Sequence, residues 1–569
     1  MPPIFDQYTL QTARQIVSIR ADEQAEENLD YYNGRHWRNG DGWVGPRPQI
    51  GDQAYSVTLE AIKAAFVTRG ATRELTNRHV AGVLARELAW GFTVKRPMGK
   101  VKTTDPTTGQ TKTEDEQPTE AENALIDEAE SILTDWWDNR GVPEILQRML
   151  AAALNTKRGV LRLYVPPGMR DANGNLPQAD LAKAVEYLWL QHLGTNEDTL
   201  ELQFPSATVY CDKLTRRDVG VFTYKASLPI MDGSFLLNGN TGPEQAELTY
   251  LADDGQTVLR VTENDGDIED PLLMPLGGRL TMYEMTREPL ITPQIISQQK
   301  LLNMAMSMKQ RNVVLGGFLE RIFLNVKWPG TTNADGSFTP SPLAVGAGTL
   351  NSLQGESYED RDGNTHVLNP SVVYRDPIDP ATFIATEQSA YLAMLQEGHQ
   401  LHYALAGDAV VSAVSRVQAR EAFEKDLLTS AGKVEAAGRW LLETALAMAA
   451  YFAGQPGRYD GLRAYVQASV DSGPRSPDDL RVASEMADKG LWSKETARSK
   501  TGIEDVGAEE DRIEKEQSKQ QSGDAASLAL AQSALDKMRA GGNNPTGQPV
   551  ANQAAPVAAN GTEPQGVVA

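Results

Sequence analysis

Residues 295–322 read IISQQKLLNMAMSMKQRNVVLGGFLERI. Apolar side chains at Ile295, Leu302, Met306 and Val313 do not keep to one narrow stripe, and a helix apolar on several sides needs several neighbours. This is the first of two rods. Pro380 and Ala381 open the second, with Phe383, Ile384, Tyr391, Leu392, Leu395 and Leu401 at mixed three- and four-residue spacing; proline is tolerated in a first helical turn. Twenty-odd residues at about 1.5 Å each give rods of roughly 30 Å. Between the rods, 323–379 is rich in Gly, Pro, Asn and Asp, with strand-like runs at Phe323–Trp328, Thr349–Leu353 and His366–Tyr374. The stretch ALAGDAVVSAVS (Ala404–Ser415) has no helical stripe and breaks at Gly407-Asp408. A long helix then spans Arg416–Phe452, with Phe423, Leu427, Ala431, Val434, Leu441, Ala445, Met448 and Phe452 on one face.

Composition bounds the rest. The 569 residues, 40% of them hydrophobic, supply several cores. A formal net charge of −22 argues against a protein that coats duplex DNA, since phosphate affinity comes from clustered Lys and Arg, but it leaves room for a DNA conduit. The one cysteine, Cys211, permits no intrachain disulfide and suits a reducing cytoplasm. No signal peptide is visible at the start, and the longest uncharged apolar runs, such as Thr444–Ala453, are too short to span a bilayer. The expectation is a soluble protein assembled inside a cell.

Towards the amino terminus, Thr9–Asn33 reads as an amphipathic helix stopped at Gly34, followed by His36-Trp37. A second helix begins at Leu75 and runs through Leu84 and Leu88 to Trp90-Gly91-Phe92. Lys100–Pro118 has little to bury and reads as a solvated loop. Helices follow at Ala121–Asn139 and Pro143–Asn155. From Arg158 the period becomes two, with strands expected at Gly159–Val165, Val185–His192, Thr199–Phe204, Ala207–Cys211, Val219–Ala226, Glu247–Ala252 and Thr257–Thr262. Turns at Asn173-Gly174, Asp254-Gly255 and Asp265-Gly266 join them. Beyond the long helix, Leu462–Val470 is extended and Ser476-Pro477 starts a capped helix with acidic residues in its first turn. From Gln517 apolar bulk falls, and a disordered tail is expected.

Rod, small β insert, rod, small-residue loop and long helix follow the order stem, clip, stem, tunnel loop and wing helix. With Asp30-Tyr31-Tyr32-Asn33-Gly34-Arg35-His36-Trp37 near the start, and Met486–Ala497 followed by Thr501-Gly502-Ile503-Glu504-Asp505-Val506 near the end, the chain resembles the portal, or head-to-tail connector, of tailed bacteriophages. The resemblance implies a mixed α+β, helix-rich fold with wing, stem, clip and crown in a ring of about twelve copies. Its parts would be a wing over 1–290, stem helices over 291–322 and 380–403, a clip over 323–379 and a tunnel loop over 404–415. The long wing helix and a strand would take 416–475, crown helices 476–516 and the tail 517–569.

The same resemblance implies a virion protein at one capsid vertex, present in the host cytoplasm during assembly. Double-stranded DNA would be packaged and ejected through it. Its partners would be a large terminase ATPase, the major capsid protein or scaffold, and neck or tail adaptors, with no membrane and no cofactor. Gly407, Asp408, Val410, Val411 and Val414 would be the loop facing DNA, small and apolar enough to touch a duplex by shape; the competing reading is a simple helix-to-helix connector whose valines pack inward. Lys300, Lys309 and Arg311 are candidate channel-facing cations of the first rod; Lys300 and Arg311 lie about three helical turns apart and share a face. The reading favoured by their positions alone is pairing to acids of a neighbouring rod. A non-viral helical scaffold that oligomerises without conducting DNA is the alternative.

Enzyme signatures are weak. Gly99-Lys100 and Gly432-Lys433 are each followed by Val and lack the earlier glycine of a phosphate loop. His399 and His402 stand three apart with no carboxylate or cysteine cluster to complete a metal site. Asp171, Asn173 and Asn175 imitate the start of a calcium loop, but Ala182 stands where the bidentate Glu belongs. No Ser/His/Asp set has a local signature, so the expectation is a protein that is not an enzyme and has no catalytic or metal residues.

Overall fold

The computed structural model describes residues 10–19, 23–45, 60, 62–97, 100–104, 111–115, 117–166, 180–196, 199–212, 216–225, 244–263, 272–317, 321–341, 354–374, 378–405, 413–473 and 477–489. Helices and strands are mixed, with helix the larger share. The chain divides into two compact units, Met1–Pro474 and Arg475–Ala569; the described part of the second is the helix Pro477–Asp488 and Lys489.

In the first unit the helices are α1 (Leu10–Ile19), α2 (Glu23–Tyr32), α3 (Ala71–Val83), α4 (Glu120–Asn139), α5 (Val142–Thr156), α6 (Leu181–Glu186), α7 (Pro293–Gly317), α8 (Pro380–Glu397), α9 (Leu401–Leu405) and α10 (Ala413–Phe452). Helix α5 lies in the centre, buried at Val142, Leu146 and every position from Met149 to Thr156. A helix buried all round must be apolar all round, and LAAALN supplies small and large apolar groups on every face. Thr119 and Glu122 form a reciprocal cap at the start of α4. The long α10 contributes Phe423, Leu427, Val434, Leu441 and Ala445 to the same core. Each of these is spaced by four or seven residues from the next, as one face of a helix requires.

Three strands, in the order Met282–Thr286, Arg158–Tyr164, Trp189–His192, form one antiparallel sheet. Five more, in the order Leu272–Met274, Thr257–Glu263, Glu244–Leu251, Asp218–Lys225, Ala207–Cys211, form another. One face of the five-stranded sheet packs Val219, Val221, Ala246 and Leu248 against Ala13 of α1. Its other face meets the smaller sheet through Ala207 and Phe222 against Val160 and Met282. Two buried ion pairs lie at this junction, Arg158–Glu284 within the smaller sheet and Arg162–Glu247 across to the larger one. Arg158 bonds Glu284 at 2.6 and 3.0 Å and the Ala207 carbonyl at 2.9 Å, while Glu284 also accepts from Val209 N. Arg162 bonds Glu247 and stacks on Tyr164, 4.0 Å from the ring centre. A third sheet pairs Ala89–Val94 with Leu462–Gln467, joining residues far apart in sequence.

Several sequence expectations change here. The helix expected over Thr9–Asn33 is two, α1 and α2. The helix expected to reach Trp90 ends at Val83, and Trp90 lies in a strand whose partner is near the other end of the unit. Lys100–Thr104 and Thr111–Asp115 pair as a hairpin in the stretch read as a loop. Val185–His192 is split between α6 and a strand, because Asp180 caps a short helix by accepting from Lys183 N. Thr199–Phe204 forms only one bridge, Thr195 to Leu202. The turns at Asn173-Gly174 and Asp265-Gly266, Asp171 and Asn175, and the tail 517–569 lie outside the described residues.

Candidate functional site

Helices α7 and α8 and the insert between them form the feature with functional promise. Three pairings set their geometry. Thr292 bonds Glu397 at 3.3 Å, Lys309 pairs with Glu387, and Asn312 bonds Ile378. Residue numbers rise on one helix as they fall on the other, so the two rods run antiparallel. The first rod spans Pro293–Gly317 and not 291–322, because Arg321–Leu324 leaves it to pair with Ser371–Tyr374.

A polar ladder runs along α7. Gln299, Asn303 and Ser307, one turn apart, are all buried. They satisfy the irregular backbone that leads into α3: Val67 N donates to Ser307 Oγ at 2.8 Å, Gln299 Nε2 donates to the Arg69 carbonyl at 2.7 Å, and Thr72 N donates to Gln299 Oε1 at 3.2 Å. Buried backbone groups need such partners, so an apolar helix face would not serve here. Asn303 Nδ2 donates to His36 Nδ1 at 3.0 Å, and His36 Nε2 then donates to the Tyr31 carbonyl at 3.0 Å. Burial, offset in part by these bonds, lowers the His36 pKa. Tyr31 is fully buried and Trp37 meets Phe66 edge-on at 5.1 Å, so the aromatic run near the start packs this junction.

The three candidate cations divide. Lys300 is held 2.8 Å from Glu27 of α2, which also binds Arg38. Lys309 is paired with Glu387 of the second rod. Arg311 is exposed and makes no ion pair among the described residues. Asn312 closes the base of the insert: its Nδ2 donates to the Ile378 carbonyl at 2.6 Å and its Oδ1 accepts from Ile378 N at 2.8 Å. Asn312→Ala removes both bonds from an 8% exposed site and should lower stability by roughly 1–3 kcal/mol. Faster hydrogen exchange at the Arg321–Leu324 and Ser371–Tyr374 strands is the local readout; unchanged exchange there would show that Asn312 does not hold the insert.

The insert consists of two-stranded ribbons: Arg321–Leu324 with Ser371–Tyr374, Val326–Lys327 with Gln354–Gly355, Gly330–Thr332 with Phe338–Pro340, and Ser357–Glu359 with Thr365–Val367. Thr349–Leu353 lies outside the described residues. No described residue from 323 to 373 is buried, and Leu324, Phe338, Tyr358 and Val367 are exposed apolar groups. Sequence reasoning placed the insert but missed this, because strand signals do not say whether a core exists.

Gly407, Asp408, Val410 and Val411 lie outside the described residues. Ala404 belongs to the short helix α9, and α10 begins at Ala413, so helix intrudes on both ends of the stretch read as a loop. Val414 falls within α10, its side chain outside the described residues. The second rod stops at Glu397 instead of 403. His402 Nε2 faces the Ser472 carbonyl at 3.0 Å, and His399 is exposed.

One constellation imitates a catalytic set. Ser430 Oγ is 2.8 Å from His79 Nε2, and Asp426 Oδ2 is 3.6 Å from His79 Nδ1. Arg287 occupies its centre, donating to His79 Nε2 at 2.8 Å, to Ser430 Oγ at 2.6 Å and to Asp426 Oδ1 at 2.6 Å. A general base must receive the serine proton on Nε2, but that lone pair is taken by Arg287. Ser430 and His79 are also fully buried. The His79 pKa lies well below its ordinary value, first from burial and then from the Arg287 charge. The cluster is a polar clasp between α3, α10 and the chain entering α7.

Set beside known proteins, the chain matches no family model and no curated protein.

Proposed function

We propose that the chain is a phage portal protein: a closed ring through which double-stranded DNA is packaged and ejected, with the insert as the docking end for a terminase and then for neck proteins. The observation that carries this reading is the insert. It holds strands on an antiparallel two-helix stalk yet buries nothing of its own between 323 and 373 among the described residues. Isolated two-stranded ribbons are marginal in water, and exposed apolar groups on them call for a partner. Copies of the same chain, repeated head to tail around an axis, supply one and close a ring. The order of rod, insert, rod and long helix supports the same reading, as does a net charge of −22 that leaves passing phosphate ungripped. No catalytic role is assigned to the chain, so the force for packaging would come from the terminase.

Negative-stain microscopy and light scattering on the purified full-length chain test this. End views should show a ring with a central hole. A monodisperse 62.0 kDa monomer at micromolar concentration would overturn the proposal. A closed ring that does not capture a large terminase subunit would favour a scaffold that conducts nothing.

A further inference from the structure

A cleft of about 400 Å³ opens where α1 meets the junction of the three- and five-stranded sheets, a size within the range of small-molecule sites. His192 of the smaller sheet lines it and is only 5% exposed. The ring's Nδ1 lies 2.7 Å from Thr195 Oγ1, while its Nε2 has no hydrogen-bond partner among the described residues. Buried polar atoms are nearly always paired, so this one calls for a bound group. Gly194 keeps the same ring edge clear: a β-carbon there would sit 3.0 Å from His192 Cε1 and 3.3 Å from Nε2. Backbone bonds fix the surrounding wall, from Gln203 N to the Gly194 carbonyl at 2.9 Å and from Thr223 N to the Ser206 carbonyl at 3.1 Å.

The lining selects a class of ligand. Among the described residues around the cleft, Arg14 of α1 is the charged one, and none is acidic. The positive charge of Arg148 also acts on His192. With the Thr195 hydroxyl donating to Nδ1, the imidazole carries its proton on Nε2 and presents a donor. A guanidinium, an imidazole N–H and the Ser206 hydroxyl on one cleft suit a group that only accepts, which a carboxylate does. The other walls are apolar: the Phe222 and Tyr224 rings stack at 4.9 Å and 15° to one another, and Phe204 lies on the same cleft. Such walls suit a flat apolar body.

We propose that this cleft binds a small organic acid, its carboxylate held by Arg14 and His192 Nε2 and its flat apolar body lying against the aromatic wall. Every group involved belongs to one chain, so the site stands or falls apart from ring formation.

Saturation-transfer NMR on the full-length chain tests this with benzoate and its neutral counterpart benzamide. Benzoate should bind about fivefold or more tighter than benzamide. Arg14 is exposed on α1, and Arg14→Gln should bring the two probes within about twofold of each other. Gly194→Ala crowds the His192 ring edge and should weaken both probes about tenfold or more. If Gly194→Ala does not fold, the exposed Arg14→Gln change decides the matter alone. Neither probe bound at about 10 mM, equal affinity for the two, a preference that survives Arg14→Gln, or binding unchanged in a folded Gly194→Ala chain would each overturn the proposal.

Discussion

Glu247→Ala should be among the most damaging single substitutions in this chain, lowering stability by about 3–5 kcal/mol. Glu247 and Arg162 lie in different sheets, their side chains 3% and 11% exposed, with Arg162 Nε 3.0 Å from Glu247 Oε1. The aromatic rings of Tyr164 and Phe222 cover the guanidinium, at 4.0 and 5.0 Å. Losing the carboxylate leaves a largely buried charge without its main partner. Replacing both partners, Arg162→Met with Glu247→Leu, removes the stranded charge and should recover most of the loss. Denaturant midpoints for the two singles and the double decide the matter. A double variant no better than Glu247→Ala would mean that the loss comes from packing and not from the unpaired arginine.

Stability should also fall steeply on mild acidification. His192 is buried, and burial, with the Arg148 charge adding to it, pushes its pKa down to about 3. Its unfolded value is about 6.5. Above pH 6.5 neither state is protonated and the histidine costs nothing. Below it the unfolded chain takes up a proton that the folded chain refuses until near pH 3, so stability is lost across that window. The slope is about 1.4 kcal/mol per pH unit, or roughly 2 kcal/mol by pH 5. His36 and His79, both lowered chiefly by burial, act in the same direction. Midpoints measured from pH 7.5 to 5 should show this loss in the natural chain and a shallower one in His192→Gln. Equal slopes would show that His192 is protonated while folded.

Much of the architecture was legible because it rests on local patterns. Pro293–Gly317 and Pro380–Glu397 are helices where apolar spacing placed rods, and α10 covers the long stretch read as its helix. Period-two alternation located the strands at Ala207–Cys211, Asp218–Lys225, Glu244–Leu251 and Thr257–Glu263. Where the reading failed, a distant partner decided. Trp90 continues a helical pattern, but Val466, more than three hundred residues away, fixes it in a strand. The polar ladder Gln299, Asn303 and Ser307 looks like a solvated stripe until Val67 and Arg69 are laid against it.

The candidate cations show the same division. Spacing alone puts Lys300 and Arg311 on one face of a helix, and no pattern within α7 says that Glu27 waits for Lys300 or Glu387 for Lys309. What the sequence determined by itself is the succession of rod, insert, rod and long helix, because helical and extended periods are written in neighbouring residues. Only the tertiary structure decided which polar groups are satisfied and that no described residue of the insert from 323 to 373 is buried. Those outcomes depend on which surfaces meet, and no short stretch of sequence records its distant partners.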